Sequence, residues 1–286
     1  MKDLSNAQVT IVGLGLMGGS LAGALRGKCS AVVGVARRAA SIDAALERAL
    51  IDWGTTDVAQ GVAEADIVVL ATPVRVILQQ LPQIAALVPE NCLLIDLGST
   101  KTEIIAAMAD LPDHVQPLGG HPMCGKELSG IEVAEPTLYQ GRTFILTPLP
   151  RTAPQALALG HALAEAIGAH PLVLDGGRQD FLVATLSHLP YLLACTLVAT
   201  ADATTSADPA AWEIVAGGFR DTSRVAGSDV QMMTDILLTN REEVLRAVDT
   251  FAQKLDELRK LVDSGSEADM QATLNAIRAI RHDMFP

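Results

Sequence analysis

The sequence predicts an α/β chain: an N-terminal Rossmann-type doubly wound sheet followed by an all-helical domain. Three observations carry that prediction. Short runs rich in Val, Ile and Leu alternate with helical patterns as far as about residue 175, as parallel strands joined by crossover helices do. The first of these runs leads directly into Gly13, Gly15 and Gly18. Beyond residue 175 the strand signals stop and apolar residues recur at helical spacing.

The first strand, Val9 to Val12, meets the glycines at a turn, and a helical pattern opens at Leu16 and Met17. In a dinucleotide fingerprint Gly13 permits the tight turn, Gly15 lets the backbone approach a pyrophosphate, and Gly18 lets the helix pack closely on the strand. The helix N-terminus offers N–H donors to the anion. A second strand, Ala31 to Val35, completes the unit within the expected length. Further strands are expected at Asp66 to Ala71, Cys92 to Leu97, Arg142 to Thr147 and Pro171 to Leu174.

Ligands of such sheets sit at the carboxyl ends of the strands, so the residues just after each strand are the candidates. Thr72 and Pro73 form a short polar turn of the kind that borders a cofactor. Gly98-Ser99-Thr100-Lys101 places a hydroxyl and a cation at the top of the sheet. The segment Gly119 to Gly130, with His121, Gly125 and Lys126, reads as a glycine loop shaped for close approach. Its imidazole is the acid-base candidate, because histidine titrates near neutral pH.

Asp175 to Asp180 is rich in turn residues and is taken as the boundary between a dinucleotide-binding domain, 1–175, and a helical dimerisation and substrate domain, 176–286. Helices are expected from Phe181 to about Ala203 and from Val244 to Val262. Asn240 with Glu243, and Ser266 with Asp269, have the spacing of capping boxes. The Phe181 helix approaches membrane-spanning length, but His188, Pro190 and several Thr residues favour a buried helix. The apolar surface of this half exceeds what a small bundle covers alone, which predicts a homodimer. Ser187 and His188 form a polar pair within the apolar helix, and Arg220 and Arg224 offer a fork suited to a carboxylate.

A net charge of -12 argues against a nucleic-acid or anionic-membrane surface. Four cysteines lack C-x-x-C spacing and read as reduced, mostly buried thiols rather than metal ligands. The first residues have no apolar signal-peptide core, so the expected compartment is the cytosol.

Taken together, Gly13 to Gly18, Asp96 to Lys101, Gly120 to Gly125, Ser187 to Pro190 and Gly218 to Arg224 resemble, in order and spacing, the prephenate/arogenate dehydrogenase family of tyrosine biosynthesis. The resemblance implies a nicotinamide-dependent oxidative decarboxylation of prephenate or arogenate, with the active site between the domains. It implies that Ser99 hydrogen-bonds the ring hydroxyl and orients His121, and that His121 accepts the hydroxyl proton. His188 then lines the substrate pocket, Arg224 pairs with a substrate carboxylate, and Gly125 and Lys126 face the substrate side chain. A Lys126 ammonium there would favour the keto acid prephenate over the amino acid arogenate.

The chain departs from the family in one place that bears on the cofactor. NAD enzymes carry an acid just after the second strand, where this chain has Ala36, Arg37 and Arg38. Guanidinium groups suit a 2'-phosphate, so NADP is expected in preference, with NAD possible. A β-hydroxyacid dehydrogenase is the nearest competing enzyme, but its catalytic-lysine motif does not occur after residue 175, where the first lysine is Lys254. A non-catalytic dinucleotide sensor would need neither His121 nor Ser99.

Overall fold

The computed structural model describes residues 2–126 and 128–284. Glu127, beside Lys126 in the expected substrate loop, lies outside the described residues. By compactness the chain divides into Met1–Arg241 and Glu242–Pro286.

The first unit is built on one sheet of eight strands in the order β3-β2-β1-β4-β5-β6-β7-β8. The strands are β1 Gln8–Val12, β2 Ala31–Val35, β3 Trp53–Thr55, β4 Ile67–Leu70, β5 Leu93–Asp96, β6 Gln116–Pro122, β7 Thr143–Pro148 and β8 His170–Val173. Pairing is parallel except between β6 and β7. The central strands are buried on both faces, which is why they read as unbroken apolar runs. One face packs Leu21, Leu25, Tyr139 and Leu163 into a core, and the other packs Ile77, Leu81, Ile104 and Met108.

Around the sheet lie α1 Leu16–Leu25, α2 Ala39–Glu47, α3 Val58–Val62, α4 Val74–Ala85, α5 Thr102–Ala109 and α6 Pro154–Ala166. The order reverses between β1 and β4, so the crevice above their carboxyl ends is the binding position of such a sheet.

Two sequence expectations need correction here. The expected glycine loop begins as a strand, and His121 sits on β6 opposite Ile145 of β7. The glycines there serve close packing, since a Cβ on Gly120 would lie 2.4 Å from the Asp96 carbonyl oxygen. Asp175 to Asp180 is not an open turn but the first turns of α7, Gly176–Val183, with the Asp175 carboxylate accepting from the Arg178 amide at 2.8 Å.

Helix α7 runs through a π-helical turn, Ala184–His188, into α8, Leu189–Thr205, followed by α9 Gly217–Ser223, a 3-10 turn Arg224–Gly227 and α10 Val230–Thr239. Within the helical run Gly176–Thr205 an 18-residue window has mean hydropathy 1.8, and by length and composition alone the run is long enough to cross a membrane. It is not the buried helix that the sequence predicts: in α8 only Leu189 and Ala194 are buried.

The second unit consists of the greater part of α11, Arg241–Ser264, and α12, Glu267–Met284. Ser266 Oγ accepts from the Asp269 amide at 3.5 Å and donates to Asp269 Oδ2 at 2.7 Å, but the Ser266 amide donates to Ser264 Oγ at 3.2 Å, so only half of the expected capping box forms. Leu255, Val262, Ile277 and Ile280 are exposed.

Candidate active site

The glycine turn has the form of an anion cradle. Gly13 has φ +108, a backbone conformation open to glycine, and a Cβ on Gly18 would lie 1.9 Å from the Gly13 carbonyl oxygen. Nothing lies within 4 Å of where a Gly15 Cβ would stand, so the first turn of α1 faces open space. A pyrophosphate placed there meets unpaired N–H groups and no side chain. The residues present therefore fit a dinucleotide.

That turn borders a cavity of about 580 Å³ at the carboxyl ends of β1, β4, β5 and β6. Gly15, Leu16, Met17, Thr72 and Pro73 line its cofactor side. Ser99, His121, Gly125 and Lys126 line the opposite side, together with Leu186 and Ser187. Asp229, Met232, Met233 and Ile236 close it from α10 and the residue before it. The size suits a drug-sized ligand. Ala36, Arg37 and Arg38 lie beyond the cavity at the end of β2, with both arginines exposed.

A buried polar cluster stands behind Ser99 and His121. Lys101 is fully buried and forms an ion pair with the equally buried Asp96. The cation is therefore not at the surface of the sheet top, as the sequence suggests. Asp96 also accepts from the Gly98 amide at 2.7 Å and the Gly120 amide at 3.1 Å. Burial pushes the Asp96 pKa up and the Lys101 pKa down, and each charge opposes the shift of the other. Asp180 caps α5, accepting from the Lys101 and Thr102 amides at 2.7 and 2.8 Å. Burial first, then the charges of Lys101 and His188, push the His121 pKa down to about 3. At neutral pH the ring is uncharged.

His188 does not line the cavity, contrary to the expectation. The π-turn, a feature often found at functional sites, directs its ring inward, where it is 1 % exposed. Asn240 Nδ2 approaches His188 Nδ1 at 3.3 Å and donates to the Asp180 carbonyl oxygen at 2.8 Å. With Nδ1 accepting, the ring proton of His188 sits on Nε2. Asn240 thus belongs to this cluster, and Glu243, its expected capping partner, pairs with Arg246 instead. Burial pushes the His188 pKa down to about 4, against the pull of Asp180.

Two cations expected to meet the substrate, Arg224 at a carboxylate and Lys126 at the side chain, differ in placement. Arg224 is exposed on its 3-10 turn and is not among the cavity-lining residues. Neither that turn nor α9 contributes a buried residue, and Arg220 is exposed as well. Lys126 does line the cavity, but its ammonium pairs with Glu135 at 2.8 Å, which weakens any repulsion of a substrate ammonium. No hydrogen bond joins Ser99 to His121 among the described residues. What does bond near Ser99 is Gln179, whose Nε2 donates to the Ser99 carbonyl oxygen at 3.4 Å and to Asp180 Oδ1 at 3.2 Å. Sequence reasoning missed Gln179, Asp180 and Asn240, whose only local signal is polarity within helical stretches.

Sequence models of one family match both parts of the chain: the prephenate dehydrogenase nucleotide-binding domain over residues 21–173 and the prephenate dehydrogenase dimerization domain over 176–276. The chain is 35% identical over 269 residues to a prephenate dehydrogenase of Bacillus subtilis, covering 92% of this chain and 71% of that protein. The structure is similar to that of prephenate dehydrogenase from A. aeolicus in complex with hydroxyphenyl propionate and NAD+, with a TM-score of 0.92, 32% identity and coverage of 99% and 100% of the two chains. It is also similar to Synechocystis arogenate dehydrogenase, with a TM-score of 0.84, 29% identity and coverage of 97% and 99%. The sheet, the glycine cradle and both domain matches agree, and the chain belongs to the prephenate dehydrogenase family.

Proposed function

We propose that this protein oxidises and decarboxylates prephenate to 4-hydroxyphenylpyruvate, with NADP preferred over NAD. The observation that carries the reading is one cavity with the glycine cradle on one side and the Ser99–His121 pair on the other. A nicotinamide dinucleotide held at the Gly13–Gly18 turn would supply the acceptor for the hydride that leaves the carbinol carbon. The ring carboxylate then leaves as carbon dioxide, and aromatisation drives the step. His121, uncharged at neutral pH, takes the hydroxyl proton. Ser99 hydrogen-bonds that hydroxyl, and Met232, Met233 and Ile236 give the cavity an apolar wall.

The cofactor preference rests on the end of β2. Ala36 stands where an acid would repel a 2'-phosphate, and Arg37 and Arg38 are exposed beside it. The carboxylate at the end of neighbouring β3, Asp57, is engaged in capping α3 through the Ala59 and Gln60 amides. Steady-state assays with prephenate, following reduced nicotinamide, test both parts. We expect higher kcat/KM with NADP, and Ala36→Asp moving preference toward NAD. Equal or better kcat/KM with NAD in the parent overturns the preference, and no turnover with either cofactor overturns the reaction.

Arogenate is the second reading, favoured by the arogenate dehydrogenase neighbour. The two substrates are separated by comparing kcat/KM for each, in the parent and in Lys126→Thr. With Lys126 paired to Glu135, the substitution is expected to move the ratio only a few-fold, since a solvent-screened pair contributes about 0–1 kcal/mol.

The active form is inferred to be a homodimer through residues 176–286, because α8 leaves its apolar side chains uncovered. Light scattering at micromolar concentration is expected to return twice the 30.0 kDa chain mass, and a monomer mass overturns the inference.

A further inference from the structure

Nδ1 of His121 and Oε1 of Gln179 are both buried, and neither has a partner at full hydrogen-bond geometry. Two such atoms in one interior cluster cost stability unless they serve each other or a ligand-bound state. The rest of Gln179 is firmly held. Its side chain is fully buried, and its Nε2 is shared between the Ser99 carbonyl oxygen and Asp180 Oδ1. That arrangement orients the amide so that its oxygen is the free end.

We propose that Gln179 is a positioning residue of the reaction: its Oε1 accepts the Nδ1–H of His121, which leaves Nε2 as the basic nitrogen, while its Nε2 holds the Ser99 backbone. The inference rests on the reading of His121 as the proton acceptor. Gln179 is already a hydrogen-bonding influence on the imidazole, and it is the one that raises its proton affinity. Catalytic hydrogen bonds that are loose without ligand tighten when the site fills. A neutral amide suits this role because it fixes the tautomer without adding charge, as the partner of a histidine's other nitrogen does elsewhere. It also explains how Ser99 and His121 act together without a direct bond, since one glutamine spans β5–α5 and β6 from α7.

Besides Gln179, the charged groups that bear on the His121 ring are Lys101 and His188; Asp96 pairs with Lys101, and Asp180 acts on His188. Lys126 and Asp229 line the same cavity. A carboxylate at position 179 adds to this set and favours the imidazolium.

The test combines the nitrogen NMR signals of the His121 ring with steady-state kinetics, for the parent, Gln179→Leu and Gln179→Glu. In the parent we expect Nδ1 protonated and Nε2 bare. Gln179→Leu is expected to lose that single tautomer and to lower kcat about tenfold, with KM for the cofactor unchanged within twofold, as a misoriented base would. Gln179→Glu is expected to keep the tautomer and to move the His121 titration and the acid limb of kcat/KM upward by about a pH unit or more. A parent with Nε2 protonated overturns the proposal, as does a Glu variant whose titration does not move. Should the Leu variant fail to fold, the ring tautomer of the parent still decides. The NMR measurement needs no substrate, so a protein that turns over neither prephenate nor arogenate would refute the assigned reaction and still report on Gln179.

Discussion

Replacing His121 by Asn is expected to lower kcat by about 10² to 10⁴, the range a positioned general base contributes, with folding and cofactor affinity unchanged. The ring ends β6 at the rim of the cavity, 8 % exposed, with Ser99 on the neighbouring loop. Its surroundings hold it neutral, because burial, Lys101 and His188 all disfavour the imidazolium. Asparagine retains a short polar group with a donor for the interior but has no basic nitrogen for the hydroxyl proton. The loss therefore appears in kcat rather than in KM. Steady-state kinetics at saturating substrate, with cofactor affinity by calorimetry, check this, and near-normal turnover makes His121 a structural residue.

The Rossmann half was legible because burial on both faces leaves each central strand as a continuous Val, Ile and Leu run. The expected β1, β2, β4, β5, β7 and β8 fall within one or two residues of the observed ones. The two strands that sequence reasoning missed have physical excuses. Strand β3, Trp53–Thr55, is a three-residue edge strand without a buried residue. Strand β6 carries Pro117, Gly119, Gly120 and Pro122, residues that strands disfavour, yet glycine is what lets it lie against the Asp96 backbone. Ser99 and His121 could be found because they follow or end a strand beside glycines. Gln179, Asp180 and Asn240 could not, because their partners are distant in sequence: Asp180 caps a helix that begins 78 residues earlier, and Asn240 reaches back 60 residues to the Asp180 carbonyl. Arg224 shows the converse, a motif-perfect residue that sits on an exposed turn outside the cavity-lining set.

Lys101→Met is expected to destabilise the fold by about 3–5 kcal/mol, the usual cost of breaking a buried ion pair from one side. Both partners are fully buried, so water cannot take over the solvation of the remaining carboxylate. Asp96 would keep only the Gly98 and Gly120 amides as donors, and in a dry interior it would take up a proton instead of staying charged. That outcome has a sign in pH. A carboxyl whose folded pKa lies above its unfolded value contributes stability below the unfolded pKa and loses it as pH rises through the folded pKa. The variant should accordingly be least impaired at acid pH and most impaired near neutrality. Adding Asp96→Asn removes the carboxylate, so the double variant should recover most of the loss, because a buried pair replaced as a whole is often close to neutral in stability. Urea unfolding of the three proteins between pH 5 and 8 reads all of this. A single variant within about 1 kcal/mol of the parent, or a double variant no more stable than the single one, would show that the charge on Lys101 does not hold Asp96 in place. The strand end carrying Ser99 would then owe its position to the Asp180 cap and to the hydroxyl contact between Thr100 and Thr239 at 2.8 Å.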